Sequence, residues 1–111
     1  MNDSIIINNN MSMQEIAAAV FNDGLKTLVR NTLKNHYGIQ EVSYRPLAYG
    51  MGIITSGSSN FEFIRSAIVK IAGISMDTIR ILEEDSTKNT AFYAYMPEKD
   101  KTIQRKLRKQ S

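Results

Sequence analysis

The fold is decided by the stretch Gly57-Ser-Ser-Asn-Phe-Glu-Phe-Ile-Arg-Ser-Ala-Ile-Val-Lys-Ile-Ala-Gly73. Ser59 and Glu62 have the spacing of a capping box, in which two side chains satisfy free amides in the first turn of a helix. Apolar residues then recur at helical spacing and form one stripe: Ile64, Ala67, Ile68 and Ile71. Lys70 falls in the predicted last turn, and Gly73 can adopt the left-handed conformation that ends a helix. The stretch therefore predicts an amphipathic core helix.

The same order of elements recurs on both sides of this helix. Downstream, residues 78–83 alternate apolar and polar side chains, residues 84–89 form a polar turn, and residues 90–96 are strongly β-prone up to Pro97. Upstream, a helical segment ends at Gly38, residues 39–45 alternate before Pro46 ends the strand, and residues 49–55 return. These two αββ units predict an α+β two-layer sandwich. Its four-stranded antiparallel sheet has both helices on one face and leaves the other face open.

An extra helix is predicted before the two units. Ser12 and Glu15 form a second capping box, and apolar residues follow them at helical spacing. The turn signal Asn22-Asp23-Gly24 interrupts this pattern, and the apolar positions after it lie on a different side of a straight helix. Residues 12–37 therefore form either one helix with a drifting stripe or two helices broken near Gly24. The pattern favours two, with Asn22 or Asp23 capping the second.

A length of 111 residues, 42% of them hydrophobic, suits one globular domain. We predict a flexible leader over residues 1–11, an α+β domain over 12–97 and a basic tail over 98–111. The leader contains one β-prone patch, Ile5-Ile6-Ile7, which either stays disordered or adds an edge strand. The tail has two apolar residues four apart, Ile103 and Leu107, which would hold a short helix.

The composition excludes several classes of protein. No cysteine is present, so disulfides, thiolate catalysis and cysteine-ligated metals are excluded. No window approaches the length of a membrane span, and the N-terminus lacks the basic region of a signal peptide. We therefore expect a cytoplasmic protein that has no membrane partner.

The positive charge is concentrated at the C-terminal end. The net charge is +3, and residues 97–111 carry six basic against two acidic residues. The basic residues of this segment are Lys99, Lys101, Arg105, Lys106, Arg108 and Lys109. Such a cluster predicts a salt-dependent, sequence-independent contact with phosphates. The alternative is that the tail only keeps the protein soluble.

Catalytic motifs are missing. His36 is the only histidine, and its place near a helix C-terminus is typical of a cap rather than a base. Gly57-Ser58-Ser59 lacks the G-x-S-x-G sequence of a nucleophile elbow. Gly50-Met51-Gly52 has only two of the three glycines of a dinucleotide-binding loop, and such a pair more often lets another segment approach a strand closely. The acidic run Glu83–Asp85 is typical of a solvated turn. We expect a non-enzymatic protein without a cofactor or metal.

The open sheet face remains as a binding surface. If Ile79, Ile81 and the alternate residues 92, 94 and 96 face the helices, then Arg80, Tyr93 and Tyr95 project from the open face, near Arg45. Aromatic rings and guanidinium groups suit single-stranded nucleic acid, because rings stack on bases and arginines meet phosphates.

The predicted function is a small nucleic-acid-binding protein that uses this face and the basic tail. Because tyrosine and arginine are also common in protein interfaces, the alternative is an adaptor or inhibitor module, of phage or mobile-element type, that binds a host protein. An open sheet on so small a chain also pairs readily with another copy. We therefore expect a homo-oligomer, in its simplest form a homodimer.

Overall fold

The structure, a computed structural model, describes residues 7–109. Within this range the chain forms, in order, α1 (Met13–Val20), α2 (Asp23–His36), β1 (Glu41–Leu47), β2 (Gly50–Ser56), α3 (Phe61–Ala72), β3 (Ile79–Asp85), β4 (Thr90–Tyr95) and α4 (Lys101–Arg108). Short 3-10 turns precede β3 at Met76–Thr78 and follow β4 at Pro97–Lys99. The predictions for residues 1–6, including Ile5 and Ile6 of the β-prone patch, and for residues 110–111 fall outside the described residues.

The predicted α+β two-layer architecture is confirmed. The four strands are antiparallel in the order β1-β2-β4-β3, and α1, α2 and α3 pack against β2, β1 and β3 from one side. We call the helix-covered side the inner face and the opposite side the outer face. The strand residues of the inner face join the helices in one apolar core: Val42, Tyr44, Met51, Ile53, Ile79, Ile81, Ala91, Tyr93 and Tyr95.

The N-terminal segment forms two helices, the alternative that the turn signal at residues 22–24 and the change of apolar side favoured. The capping box of Ser12 and Glu15 begins α1, and Asn22 begins α2 by accepting a hydrogen bond from the Leu25 amide at 3.0 Å. Phe21 lies at the break and is fully buried, with its ring centroid 5.1 Å from that of Tyr95. A continuous straight helix would point the apolar residues after Gly24 away from the side on which Phe21 lies, and the break allows both helices to bury their apolar sides.

The capping box predicted at Ser59 and Glu62 is wrong. The N-cap of α3 is Asn60, whose side chain accepts from the Phe63 amide at 3.3 Å, while Glu62 forms an ion pair with Arg65 at 2.8 Å. Asparagine caps a helix as well as serine does, and the later start allows Phe61 to be buried. The predicted C-terminus is confirmed, because Gly73 ends α3 with φ at 70°.

The edge position of β1 explains a second difference. Pro46 was expected to end the strand, but β1 continues to Leu47. A proline cannot donate a ladder hydrogen bond, yet an edge strand has one side on which no donor is needed.

Candidate functional site

Tyr93 and Tyr95 lie on the inner face, so the prediction that they project from the open face is wrong. Both side chains are fully buried. In the sheet register Tyr93 is paired with Ile81, and Tyr95 with Ile79. Cross-strand partners share a face, so the tyrosines face the helices together with the isoleucines.

Each buried hydroxyl of these tyrosines has a protein partner. Tyr93 donates to the carbonyl oxygen of Phe61 at 3.1 Å, at the start of α3. Tyr95 donates to a carboxylate oxygen of Asp100 at 2.7 Å, and Asp100 is the N-cap of α4. The same arrangement occurs at Tyr44 on β1, which donates to the Lys26 carbonyl of α2 at 3.0 Å. We call Tyr44, Tyr93 and Tyr95 the inner tyrosines; each connects the sheet to a different helix.

Burial keeps these hydroxyls protonated. It raises the pKa of Tyr44 and of Tyr93 to about 12. The pKa of Tyr95 rises further, first through burial and then through its hydrogen bond to the Asp100 carboxylate. The inner tyrosines are therefore structural donors at neutral pH, and no ligand can reach the two that are fully buried.

The outer face consists of three rows of cross-strand partners. The basic row contains Arg45, Gly52, Ala94 and Arg80. The middle row contains Ser43, Ile54, Phe92 and Glu83. The acidic row contains Glu41, Ser56, Thr90 and Asp85. The sequence-predicted residues Arg45 and Arg80 thus lie in one row, both exposed, separated by two small residues.

Phe92 is the aromatic residue of the outer face. Its ring covers Gly52, since a Cβ atom added to Gly52 would lie 2.6 Å from the Phe92 ring. The Arg45 guanidinium stands 5.5 Å from the centroid of the same ring, within cation–π distance. The glycine therefore provides the space for an aromatic ring. Position 50 also requires glycine, because a Cβ atom there would collide with the backbone carbonyl of Tyr95. Gly50 and Gly52 therefore allow close packing within the sheet and are not part of a phosphate loop.

The charges of the outer face have opposite signs at its two ends. The basic and acidic rows are four residues apart along β1, about 13 Å in a strand. A depression of about 400 Å³ between them is lined by Arg45 and Phe92 and by the charged residues Glu83, Glu84, Asp85 and Lys88. A polyanion following the strands would meet carboxylates at one end. The outer face is therefore not a continuous phosphate-binding surface.

The basic tail forms the ordered helix α4. Ile103 is buried in the core and Leu107 packs against it, which confirms the short helix expected from their spacing. Asp100 is only 6% exposed and caps the helix by accepting from the amides of Thr102 and Ile103. The helix contains no acidic residue.

The cationic residues of the tail surround α4. Lys99, Lys101, Arg105, Arg108 and Lys109 are exposed, and Lys106 is partly buried. We call α4 together with Lys99 and Lys109 the basic helix. Of the sequence-predicted site residues, these six lie together on the basic helix. Arg45 and Arg80 lie together on the outer face. The remaining two, Tyr93 and Tyr95, are buried on the inner face.

A second depression, of about 520 Å³, lies on the helix side of the molecule. It is lined mainly by apolar residues, among them Val20, Leu25, Leu28, Ala72, Ile74 and Ile103. Asp100 also borders it, but both carboxylate oxygens already accept hydrogen bonds from the protein. Across residues 7–109, no group of three acidic or histidine side chains could hold a metal ion.

Sequence reasoning missed Phe92 and Asp100. Asp100 carried a usable signal, because aspartate is a preferred N-cap directly before the apolar pair at positions 103 and 107. Phe92 carried no such signal, because only the strand register shows that its ring lies across Gly52.

No helix within the described range is long and apolar enough to cross a membrane. Comparison with protein-family models, with curated proteins and with solved structures finds no match to this chain. The function must therefore be inferred from the residues of the chain itself.

Proposed function

We propose that this protein binds nucleic acid through the basic helix, without enzymatic activity. One observation carries the proposal: the exposed side of α4 bears only cationic charges, and the Asp100 cap and buried Ile103 fix the helix on the domain. An ordered helix presents its lysines and arginines without the loss of backbone entropy that a flexible tail would suffer on binding.

The expected contacts are with phosphates rather than bases. Each lysine or arginine that neutralises a phosphate releases a counterion, which makes the affinity fall steeply with salt. Base stacking contributes little, because one side of the Phe92 ring lies against Gly52 and the Arg45 guanidinium lies near the same ring, which leaves little free ring surface for a base. We therefore expect weak sequence preference, and single strands are bound through their backbone.

The test is a titration of labelled single- and double-stranded oligonucleotides at about 50 mM and about 200 mM salt. The test variant replaces three exposed cations of the basic helix: Lys101→Gln, Arg105→Gln and Lys109→Gln. The matched control removes the same charge elsewhere, from three other exposed lysines: Lys34→Gln, Lys70→Gln and Lys88→Gln.

The basic-helix variant should bind weakly and show a slope of log affinity against log salt that is smaller by about 2 to 3. The control should bind almost as tightly as the unmodified protein. Circular dichroism establishes that both variants are folded. Absence of binding at low salt, or equal losses in the two variants, would refute the proposal.

Protein binding is the second candidate, and one observation favours it. Phe63 on α3 is 53% exposed, and its ring lies 5.6 Å from that of Tyr37 at the end of α2. Tyr37 is partly buried against the core, so Phe63 is the exposed member of the pair, and aromatic residues are enriched in protein interfaces. If this pair binds a partner protein, capture of that partner from nuclease-treated lysate should be lost with Phe63→Ser and kept with the basic-helix variant. The opposite result would favour nucleic acid.

Two further expectations remain predictions. A cytoplasmic location is one, and fractionation of cells tests it. Self-association is the other, and the outer face is the surface of the sheet that no helix covers.

A further inference from the structure

We propose that a second copy of this chain docks on the outer face, with the basic row of each copy over the acidic row of the other. The charge pattern of the face is the starting observation. Arg45 and Glu41 lie at opposite ends of β1, and Arg80 and Asp85 at opposite ends of β3. The face therefore carries positive charge at one end of both edge strands and negative charge at the other.

Symmetry decides how two such faces can meet. A two-fold axis along the strands would place the basic row of one copy over the basic row of its partner, which is repulsive. A two-fold axis across the strands, through the middle row, reverses one copy end to end. β1 then lies over β1, so that Arg45 of each copy faces Glu41 of the other. In the same way β3 lies over β3, so that Arg80 of each copy faces Asp85 of the other. Only this second arrangement therefore places the basic row of each copy over the acidic row of the other.

The dimensions allow these contacts. Packed sheets are separated by about 10 Å and are rotated by roughly 30° through their twist. An arginine and a carboxylate side chain that reach towards each other can span this gap. Arg45 and Glu41 are both exposed.

Two residues of the middle row, Ile54 and Phe92, supply the apolar centre, while Glu83 at the β3 end of the row would lie over Glu83 of the other copy, a like-charge contact that weakens the dimer. Ile54 and Phe92 are half-buried there, and Leu82, the extra residue at the irregularity between Ile81 and Glu83, is 36% exposed. On a two-fold axis through this row, each of these side chains meets its counterpart or a close neighbour. An apolar centre flanked by charged pairs is the usual composition of a specific interface.

The extent of the face predicts a weak dimer. Four strands at their usual spacing and about six residues of length give a surface of roughly 400 Å². This area is below the typical contribution of about 800 Å² per partner. We therefore expect a dissociation constant between about 10 µM and about 1 mM.

This inference does not depend on nucleic-acid binding. The basic helix is anchored on the inner side, through Ile103 in the core and through the hydrogen bond of Tyr95 to Asp100. A dimer formed through the outer face leaves it accessible. Failure of one proposal therefore leaves the other intact.

The test is sedimentation velocity over about 10 µM to about 1 mM protein, at low and at high salt. Three variants are compared: Arg45→Glu, Glu41→Arg, and both changes together. Either single change places like charges opposite each other and should weaken the dimer at least about tenfold. The double variant exchanges the two signs in both copies and should return to within about threefold of the unmodified protein. Lys70→Glu, on the exposed side of α3, is the control and should have no effect.

A monomer throughout this concentration range at low salt would overturn the proposal. A dimer that the single changes leave unaltered, or that the double change fails to restore, would also overturn it, because the copies would then associate through another surface. The nucleic-acid titration is repeated with Arg45→Glu. Unchanged binding by this variant is expected if the two surfaces act separately.

Discussion

Phe92 and Tyr93 are neighbours on β4, yet they lie on opposite faces of the sheet. The Tyr93 side chain is fully buried, and its hydroxyl donates to the first residue of α3. Phe92 remains partly exposed and lies across Gly52 below the Arg45 guanidinium. One aromatic residue thus connects layers of the fold, while the next belongs to a surface.

The difference shows what makes an aromatic residue structural in this molecule. The inner tyrosines combine burial with a directional hydrogen bond to a carbonyl or carboxylate oxygen, so each fixes the position of one helix. A buried hydroxyl without such a partner would be costly. The outer face lacks a second layer, so Phe92 is supported only by a glycine and a cation. The following predictions test this contrast between the two faces.

Alkaline pH should have the largest effect, because it acts on all inner tyrosines together. Tyrosine in an unfolded chain ionises near 10, while the pKa of Tyr93 is raised to about 12. Between these values the unfolded state has lost protons that the folded state keeps, so stability falls as the pH rises. Each such tyrosine contributes up to about 1.4 kcal/mol per pH unit in this window.

Thermal unfolding and near-ultraviolet absorbance of tyrosinate, followed together from pH 9 to 12, measure this effect. Ionisation of the inner tyrosines should coincide with unfolding. A variant with Tyr93→Phe should show a shallower loss of stability. Complete ionisation of all five tyrosines in a protein that stays folded would contradict the assigned burial.

Truncation of the two neighbouring aromatic residues should separate the faces clearly. Tyr93→Ala removes a fully buried ring and its hydrogen bond, and should lower the free energy of unfolding by about 3–5 kcal/mol. Phe92→Ala removes a half-buried ring and should cost about 1 kcal/mol. Urea unfolding of both variants gives the comparison. Equal losses would show that the two rings are equally important for stability.

Removal of one hydroxyl should have a smaller effect. Tyr95→Phe leaves the ring in the core but removes the donor to Asp100, and should destabilise the fold by about 1.5–3 kcal/mol. Tyr49→Phe, at an exposed position, serves as the control and should change stability by less than about 0.5 kcal/mol. Unchanged stability would show that the hydrogen bond contributes nothing.

The smallest effect is expected at Gly52. Gly52→Ala places a methyl group against the Phe92 ring, which must move, and should cost about 1–2 kcal/mol. The cost should shrink in a Phe92→Ala background, since the ring is then absent. A double-mutant cycle measured by urea unfolding gives the coupling. A coupling near zero would mean that Phe92 does not lie over Gly52.

Most of the architecture could be predicted from local signals. The capping box at Ser12, the turn at Asn22, the glycine stop at Gly73 and the alternation of the strands each depend on residues close in sequence. These signals gave the two αββ units and the single covered face. The start of α3 was misplaced, because Ser59 and Asn60 are both good caps and only the burial of Phe61 separates them.

The orientation of β4 could not be predicted in the same way. Its segment has aromatic or apolar residues on both alternating sets, so period-two patterning does not show which set is buried. The sequence prediction turned residues 92, 94 and 96 towards the helices and so exposed the tyrosines, but the buried tyrosine hydroxyls find partners at the starts of α3 and α4. Pairing with Ile79 and Ile81 decides the orientation, and this pairing joins two strands across a turn, with an irregular register in β3 at Leu82.

The sequence by itself determined the fold class and the cationic character of the tail, and it favoured the break between α1 and α2, because each follows from short-range periodicity, capping or composition. The tertiary structure alone decided which side of β4 faces the helices, and it aligned Arg45 with Arg80 in one row and Glu41 with Asp85 in another. It also anchored the tail helix on the domain, through the hydrogen bond of Tyr95 to Asp100 and the burial of Ile103. These features depend on strand register and on which buried polar groups find partners, and both are settled only when distant segments pack together.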